Sequence, residues 1–278
     1  MEYSQRPVWP KGKSCAAMIT INLNAELFWL QIDPECRNMP KTLSLGQYGM
    51  TRGADRILEI LKEKEVKATF FTPGWVAENY SQTVQKIQKY GHEIAALGYH
   101  HEHMALLSPE EQEEVMKKSI EAIQQVCGIT PRGFRCPEGE LTLDTLRIAK
   151  KCGMNYSSNL CDDDRPYFKD LGNAQILEIP IHWANYDLPY FAFNYHPAFP
   201  AGQGRIANYT GVLNNWKDEF AGCREYGLCY VLQLDPAFIG SPGRIGLLEE
   251  LLDTMQRSDD VWFVTGEEMC RYYSHLCQ

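Results

Sequence analysis

The chain has 278 residues, of which 44% are hydrophobic and 23% charged, a balance typical of a soluble, folded globular protein. Its 36 acidic residues outnumber 27 basic ones, and the net charge of −9 argues against nucleic acid or an anionic membrane as the main partner, because both require a positive surface. No run of eighteen apolar residues occurs without a charge, so no transmembrane helix is expected.

Short apolar runs alternate with helical patterns along most of the chain. Periodicity predicts strands at residues 15–23, 66–72, 93–99, 133–136, 156–159, 176–183, 228–234 and 261–264. It predicts helices at residues 52–63, 80–90, 109–127, 143–152, 244–255 and 266–275. The third of these helices begins with Ser108, Pro109 and Glu111, the pattern of a capping box, and ends at Gly128.

This alternation predicts a single α/β domain over residues 1–278 with a mainly parallel sheet. The number of units is enough to close a barrel, although an open sheet is the alternative. Residues 184–209 interrupt the pattern with three prolines and with six aromatic residues between Tyr186 and Phe199, which favours a functional loop or a contact between subunits. A homo-oligomer, dimer or tetramer, is therefore expected.

The ten cysteines form no Cys-x-x-Cys pair, which gives no indication of a zinc ribbon or a redox motif. Scattered cysteines in apolar contexts are typical of free thiols in a reducing compartment. The first seventeen residues are polar and lack the apolar core of a secretion signal. These features together predict a cytoplasmic protein.

Several segments occur in an order that is specific when they are taken together. They are AAMITINLNAE, SLGQYGMTRGADRILEIL, VKATFFTPGWVAENY, GHEIAALGYHHE, GFRCPEGELTLDTL, YSSNLCDDDRPY, LEIPIHW and GSPGRIGLLEELLDTM. In these segments the chain resembles the polysaccharide deacetylase superfamily, which also contains metal-independent amidases such as one type of allantoinase. The branch that it resembles is the cytoplasmic, peptidoglycan-deacetylase-like one. This resemblance implies a distorted (β/α) barrel of six to seven parallel strands, with its chemistry at the carboxyl ends of the strands.

The resemblance also shows which positions have changed. The family places a general base and a metal-binding aspartate where this chain has Asn22 and Asn24. It places two metal-binding histidines at the positions of Leu97 and His101, and an acid histidine at the position of Asp235. The positions that match the family are Arg135, Pro137, Asp164 and Asp187.

These changes predict that the chain holds no metal and no other cofactor. Asn24 offers a neutral oxygen, Leu97 offers no donor, and His101 alone is not a zinc site. Neighbouring His100 and His103 leave an alternative metal site open, but solvated loop histidines are the simpler interpretation. The deacetylase mechanism then lacks its Lewis acid, its base and its acid together.

A polar pocket is still expected at the mouth of the barrel. The predicted catalytic residues are Asp235 as a carboxylate base, Arg135 to hold a substrate carboxylate or an oxyanion, and His101 and Glu26 beside them. The predicted substrate-binding residues are Asn22, Asn24, Leu97, Tyr99, Glu138, Asp164, Trp183, Asp187 and His196. The two asparagines suit a carbonyl or an amide in the substrate.

Three functions remain open from the sequence. The first is a metal-independent hydrolase of a C–N or related bond in a small substrate such as a cyclic amide, imide or ketone. The second is a catalytically inactive protein that binds a ligand in the same pocket, which the alkyl side chain of Leu97 favours. The third is a divergent metal-dependent glycan N-deacetylase. Function has to be decided from the site and not from the fold.

Overall fold

A computed structural model describes residues 9–202 and 204–276 of the chain. Predictions that fall on residues 1–8 and on Cys277 lie outside the described residues. The strands are β1 (Cys15–Asn22), β2 (Thr69–Thr72), β3 (Glu93–Ala96), β4 (Gly133–Phe134), β5 (Tyr156–Ser157), β6 (Tyr167–Asp170), β7 (Gln175–Glu178), β8 (Asn194–Tyr195), β9 (Ala198–Phe199), β10 (Cys229–Leu234) and β11 (Val261–Phe263).

Helices connect most of these strands. They are α1 (Leu27–Ile32), α2 (Pro40–Tyr48), α3 (Ala54–Glu63), α4 (Gly74–Asn79), α5 (Ser81–Lys89), α6 (Pro109–Cys127), α7 (Leu143–Lys151), α8 (Leu188–Phe191), α9 (Tyr209–Tyr226), α10 (Ile245–Gln256) and α11 (Gly266–Leu276). The predicted capping box of α6 is present, and Gly128 ends that helix in the left-handed conformation, with φ +68°. None of the helices in the described residues is both long and apolar enough to span a bilayer.

The main sheet is a curled half-barrel of parallel strands. Its order is β10-β1-β2-β3-β4-β5-β7-β6, with β11 beside the first part of β1. All of these strands run parallel except β6, which pairs antiparallel with β7 at one edge. The expected parallel α/β barrel is therefore confirmed.

The sheet has a seam, because β7 and β10 do not pair with each other in the described structure. Residues 181–187 occupy the upper part of this seam. Tyr186 forms a parallel bridge with Gln233, and the backbone N–H of Asp187 donates to the carbonyl of Gln233. A non-strand segment thus closes the barrel on the side where a further strand would otherwise stand.

β1 shows how the fold directs side chains into the barrel. All eight of its residues are buried, as expected for a parallel strand that is covered on both faces. Cys15, Ala17, Ile19 and Ile21 belong to the apolar cluster beneath the helices, whereas Ala16 and Met18 belong to the cluster inside the barrel. By the same alternation Thr20 and Asn22 face inward, so polar groups replace apolar ones toward the carboxyl end of the strand.

Several elements were not among those predicted from the sequence, including the short helices α1 and α2. Residues 209–226 form the eighteen-residue helix α9, which the sequence analysis did not predict, and residues 167–170 form the antiparallel strand β6. The loop predicted at residues 184–209 also contains the short helix α8 and the hairpin β8–β9. The four buried residues of α9, Val212, Leu213, Trp216 and Phe220, have helical spacing, so a signal for this helix was present in the sequence.

Candidate active site

Three polar side chains meet at the mouth of the barrel. Asn24 follows β1, His101 follows β3, and Asp235 comes directly after β10. Each of the three is at most 1% exposed. The Nε2 atom of His101 lies 2.9 Å from Oδ1 of Asn24. The Asn24 amide also lies near enough to the Asp235 carboxyl to lower its pKa, although Nδ2 of Asn24 has no hydrogen-bond partner in the described structure. The structure therefore brings together three of the residues that the sequence singled out.

His101 is neutral at physiological pH. An amide oxygen can only accept a hydrogen bond, so Nε2 of His101 carries the proton that it shares with Asn24. Burial, with a smaller effect from His103, lowers the pKa of His101 to about 3. His101 has φ +64° and Ala25, next to Asn24, has φ +50°, so unusual backbone conformations flank this hydrogen bond on both sides. His101 thus acts as a fixed donor and not as an acid.

Asp235 has the properties of a general base. Burial, with a smaller contribution from the nearby Glu138, raises the pKa of the carboxyl from 3.8 to about 7. The backbone N–H of Ala237, which donates to Oδ1 over 2.6 Å, and the Asn24 amide oppose this effect. A carboxyl with a pKa near 7 is partly ionised at neutral pH, which is the condition that suits proton transfer in both directions.

Arg135 is engaged mainly by residues of the barrel interior, which leaves it unable to clamp a substrate carboxylate, one of the two roles that the sequence suggested. Nη1 donates to Oγ1 of Thr20 and to Oδ1 of Asn22, at 2.8 and 3.0 Å. Nε donates to the carbonyl of Ser158 and Nη2 to its hydroxyl. The guanidinium also stacks on Phe71, 4.1 Å from the ring centre. Four of its five N–H groups are thereby used, so Arg135 has no pair of donors left for a carboxylate.

A buried tyrosine that the sequence analysis did not select connects two of the predicted residues. The hydroxyl of Tyr186 accepts from Nδ2 of Asn22 at 3.1 Å and donates to Oε1 of Glu138 at 2.6 Å. Burial raises the pKa of Glu138, although Tyr186 and Arg135 oppose this effect. The position of Tyr186 immediately before Asp187 was the available signal. Asn22, Tyr186 and Glu138 therefore form one hydrogen-bonded chain.

A small cavity lies beside this chain. Its volume is about 50 Å³, which is room for a few water molecules or a small chemical group. Its walls include Asn22, Arg135, Glu138, Tyr186 and Gln233, together with residues of the loops after β4 and β5 and the exposed Trp183. Trp183 is 58% exposed and stacks on Tyr186. Trp183 therefore stands at the outer wall of the cavity.

Asp187 supports the site from behind. Both of its carboxyl oxygens accept from the backbone N–H of Asp235, and Oδ2 also accepts from the N–H of Ile239, each at 3.0 Å. Because these bonds occupy its oxygens, Asp187 holds the loop that carries Asp235. This arrangement differs from the substrate contact that the sequence predicted for it.

Two predicted residues point away from the Asn24, His101 and Asp235 group. The hydroxyl of Tyr99 donates to Glu78 on α4, and Lys118 of α6 lies over its ring, so this side chain faces the outer helices. Glu26 is buried, but its Oε2 accepts from the hydroxyl of Tyr80 at 2.8 Å. Neither side chain contributes to the cavity wall.

Asp164 is not at the mouth, contrary to the sequence prediction, and His196 is exposed on the β8–β9 hairpin. The carbonyl of Asp164 accepts from the N–H of Cys229 at the start of β10, about 20 Å along the strand from Asp235. Its carboxylate lies 2.9 Å from His182. The chain after β5 turns down the seam before it enters the β6–β7 hairpin, which removes Asp164 from the mouth. His196 is exposed, and only its carbonyl is engaged, by Thr42 and Asn194.

The donors at these positions do not fit the metal that the family resemblance implies. Nε2 of His101 is bonded directly to Asn24, and Leu97 packs in the apolar cluster inside the barrel. His100 and His103 are exposed, and the ring of His100 packs against Trp75 and Tyr99. Within residues 9–202 and 204–276, no group of three His, Cys, Asp or Glu side chains is arranged to hold a metal ion. One imidazole and one amide oxygen are a poor zinc site.

Comparison with known proteins places this site in a family. Residues 46–157 match the family model for polysaccharide deacetylases. The chain is 25% identical over 257 residues to a peptidoglycan deacetylase of Helicobacter pylori, covering 83% of this chain and 86% of that one. Its fold matches an allantoinase with a TM-score of 0.82 at 20% identity, over 98% of this chain and 94% of that one.

A solved structure from Mycobacterium smegmatis, assigned to the polysaccharide deacetylases, is more similar. It has a TM-score of 0.93 and 31% identity, over 97% of this chain and 93% of that one. A similarity of this extent covers the barrel, the seam and the loops that carry the candidate site. The chain therefore belongs to the polysaccharide deacetylase family.

Proposed function

We propose that this protein is a metal-independent hydrolase that opens a C–N bond in a small, uncharged substrate such as a cyclic amide or imide. The observation that carries the proposal is the buried Asp235 carboxyl, whose pKa is raised to about 7 at the mouth of the barrel. A carboxyl with this pKa can take a proton from water and return it, so it supplies the acid and base functions without a metal.

In the proposed reaction the Asp235 carboxyl acts first as a base and then as an acid. Ionised Asp235 removes a proton from a water molecule while the water oxygen adds to the carbonyl carbon of the substrate. The tetrahedral intermediate then collapses, the C–N bond breaks, and protonated Asp235 returns the proton to the leaving nitrogen. Asn24 is placed to orient this carboxyl, and the His101 N–H holds the Asn24 amide in position.

Two further observations support a small neutral substrate. The cavity beside the site is about 50 Å³, which favours a small chemical group over a stretch of glycan chain. The Arg135 guanidinium is engaged by barrel residues, so a substrate carboxylate has no paired donor there. The likeness to an allantoinase and to deacetylases adds support for hydrolysis of a C–N bond.

Two observations favour a second candidate, a ligand-binding protein without catalysis. Leu97 places an apolar side chain where the family resemblance implies a metal ligand, and Asn24, His101 and Asp235 are fully enclosed. In that case the same pocket would bind a small neutral molecule without turnover. The two candidates differ in whether Asp235 matters for chemistry or only for affinity.

The decisive experiment measures turnover of hydantoin, succinimide, allantoin and related ring amides by the purified protein, with N-acetylated chitooligosaccharides in parallel and with EDTA present or absent. We expect hydrolysis of a ring amide that persists in EDTA, with kcat/KM rising as the pH passes through about 7 because Asp235 ionises. Asp235→Asn should lower kcat/KM at least ~100-fold and abolish this pH dependence.

Asp218→Asn, the same substitution on the exposed face of α9, serves as the control and should leave kcat/KM unchanged. Turnover that requires added zinc, or that is confined to the chitooligosaccharides, would support a metal-dependent deacetylase instead. Saturable binding of a ring amide without turnover would support the binding protein.

A further inference from the structure

One buried donor next to the candidate base has no partner. The side chain of Gln233 is 2% exposed, and its Nε2 makes no hydrogen bond within the described structure. Gln233 is part of the wall of the 50 Å³ cavity. Buried polar groups in folded proteins nearly always have a partner, so an unfilled donor that borders a cavity indicates a missing acceptor.

A second donor borders the same cavity. Arg135 uses four of its five N–H groups on Thr20, Asn22 and Ser158, and one N–H of Nη2 has no acceptor among the described residues. Arg135 is also part of the cavity wall. Two independent donors, one amide and one guanidinium, thus border a space that is large enough for an oxygen atom and the atoms bonded to it.

Gln233 lies close to Asp235 along the chain. One residue, Leu234, separates them at the end of β10, so their Cα atoms are about 7 Å apart and their side chains face the same side. Glu138 and Tyr186 share the cavity wall with Gln233 and lie close enough to the Asp235 carboxyl to interact with it electrostatically. A carbonyl group held by the Gln233 amide would therefore lie near the candidate base.

We propose that the amide of Gln233 and the remaining N–H of Arg135 bind the carbonyl oxygen of a neutral amide and stabilise the negative charge that develops on it. The inference rests on the proposed hydrolysis and adds a residue and a substrate property to it. The carboxyl of Glu138 borders the same cavity and offsets the positive charge of Arg135, so we expect the cavity to favour a neutral carbonyl over a carboxylate.

Acetamide and acetate are matched probes for this selection, because they have the same shape and differ in charge. The protein is labelled with ¹⁵N, and the side-chain amide signals of Gln233 are identified as those absent from Gln233→Met. We expect acetamide to shift these signals saturably and acetate to leave them unchanged. Equal effects of the two probes, or acetamide binding without any shift of the Gln233 signals, would overturn the proposal.

The catalytic role of Gln233 is tested by measuring kcat and KM for the ring amide that the wild-type protein hydrolyses. Gln233→Leu removes the donor and should lower kcat about 100-fold, with a smaller change in KM, because the bond strengthens as charge develops. Gln233→Met provides a second apolar variant if the first folds poorly. Gln112→Leu is the control, since Gln112 is equally buried but lies on the outer helix α6.

The outcomes separate this inference from the proposed function. Hydrolysis that is unchanged in Gln233→Leu and Gln233→Met would exclude the role of Gln233 while leaving hydrolysis itself established. Selective acetamide binding at Gln233 with no turnover of any ring amide would establish the carbonyl site and contradict the proposed hydrolysis.

Discussion

At the scale of single residues, the burial of Asp235 makes the stability of the folded protein depend on pH, which can be measured without a substrate. Its folded pKa of about 7 lies above the ordinary value of 3.8, so the folded state retains a proton that the unfolded state releases. Stability is therefore lost as the pH rises from about 4 to about 7, and the loss is constant above that range. The full loss of unfolding free energy is roughly 4 kcal/mol, because each unit of difference between the folded and unfolded pKa corresponds to about 1.4 kcal/mol.

Asp235→Asn removes this titration and should become more stable relative to the wild type as the pH rises. We expect the difference in unfolding free energy between variant and wild type to move in favour of the variant by roughly 2–3 kcal/mol between pH 5 and pH 8. Urea unfolding at the two pH values measures it, and comparing the pH values cancels the pH-independent loss of the Ala237 hydrogen bond. A difference that does not change with pH would mean that Asp235 titrates as an ordinary surface carboxyl.

The residue types of the candidate site could be read from the sequence, but their protonation and contacts could not. The strand pattern predicted that Asn24, His101 and Asp235 would be near one another, because parallel strands end at the same edge. The low pKa of His101 depends on complete burial, which no local pattern encodes. Tyr186 and Gln233 were missed because their partners are distant in sequence: the hydroxyl of Tyr186 bonds to Asn22 and to Glu138.

At the scale of elements, three glycines let one helix approach the loops of the site. Gly46, at the end of α2, and Gly49 and Gly53, in the π-helical turn that follows, lie on one face. A Cβ on Gly46 would lie 2.3 Å from the carbonyl oxygen of Ala25, and a Cβ on Gly53 would lie 2.0 Å from that of Pro236. This face therefore fixes the two loops that carry Asn24 and Asp235.

Gly53→Ala should destabilise the protein by about 2 kcal/mol or more, because the added methyl group collides with backbone that cannot move freely. Gly222→Ala is the matched control within a helix. Gly222 lies in α9 with nothing within 4 Å of its added Cβ, so alanine should stabilise the protein by about 0.5–1 kcal/mol. Equal effects of the two substitutions on the urea midpoint would contradict the close packing at Gly53.

Elements with strong local signals were predicted well, whereas those that depend on tertiary contacts were not. The capping box and Gly128 fix both ends of α6 in the sequence itself. β6 has no buried residue, so it lacks the apolar pattern of a strand, and pairing with β7 holds it in place. The close packing of Gly46 and Gly53 could not be predicted from the sequence, because it depends on the approach of Ala25 and Pro236 from distant parts of the chain.

At the scale of the whole molecule, the barrel depends on the seam between β7 and β10. The segment over residues 181–187 closes it through the Tyr186–Gln233 bridge and through the Asp187 carboxyl, which accepts from two backbone N–H groups at the end of β10. The sequence predicted a barrel, but it did not show that a loop rather than a strand completes the wall. That information lies in contacts between residues almost fifty positions apart.

Asp187→Ala should destabilise the fold by about 3 kcal/mol, since it leaves the buried N–H of Asp235 without an acceptor and removes one of the two acceptors of the Ile239 N–H. Amide hydrogen exchange at Asp235 and Ile239 should accelerate more than in the rest of the sheet. Asp218→Ala removes an exposed carboxylate from α9 and should change stability by less than about 0.5 kcal/mol. Unchanged exchange at Asp235 in Asp187→Ala would show that the seam is held by other contacts.

The burial of Asn24, His101 and Asp235 also limits how fast a molecule can enter or leave the site. None of the three side chains is more than 1% exposed, so a molecule exchanges with solvent at this site only when part of the wall moves. Trp183, which is exposed and stacks on Tyr186, belongs to the part of the wall nearest the solvent. Such movements take microseconds to milliseconds and set the turnover rate in many enzymes. For the proposed hydrolysis, the opening frequency of this wall would therefore set the upper limit on the turnover rate, however fast the bond is broken.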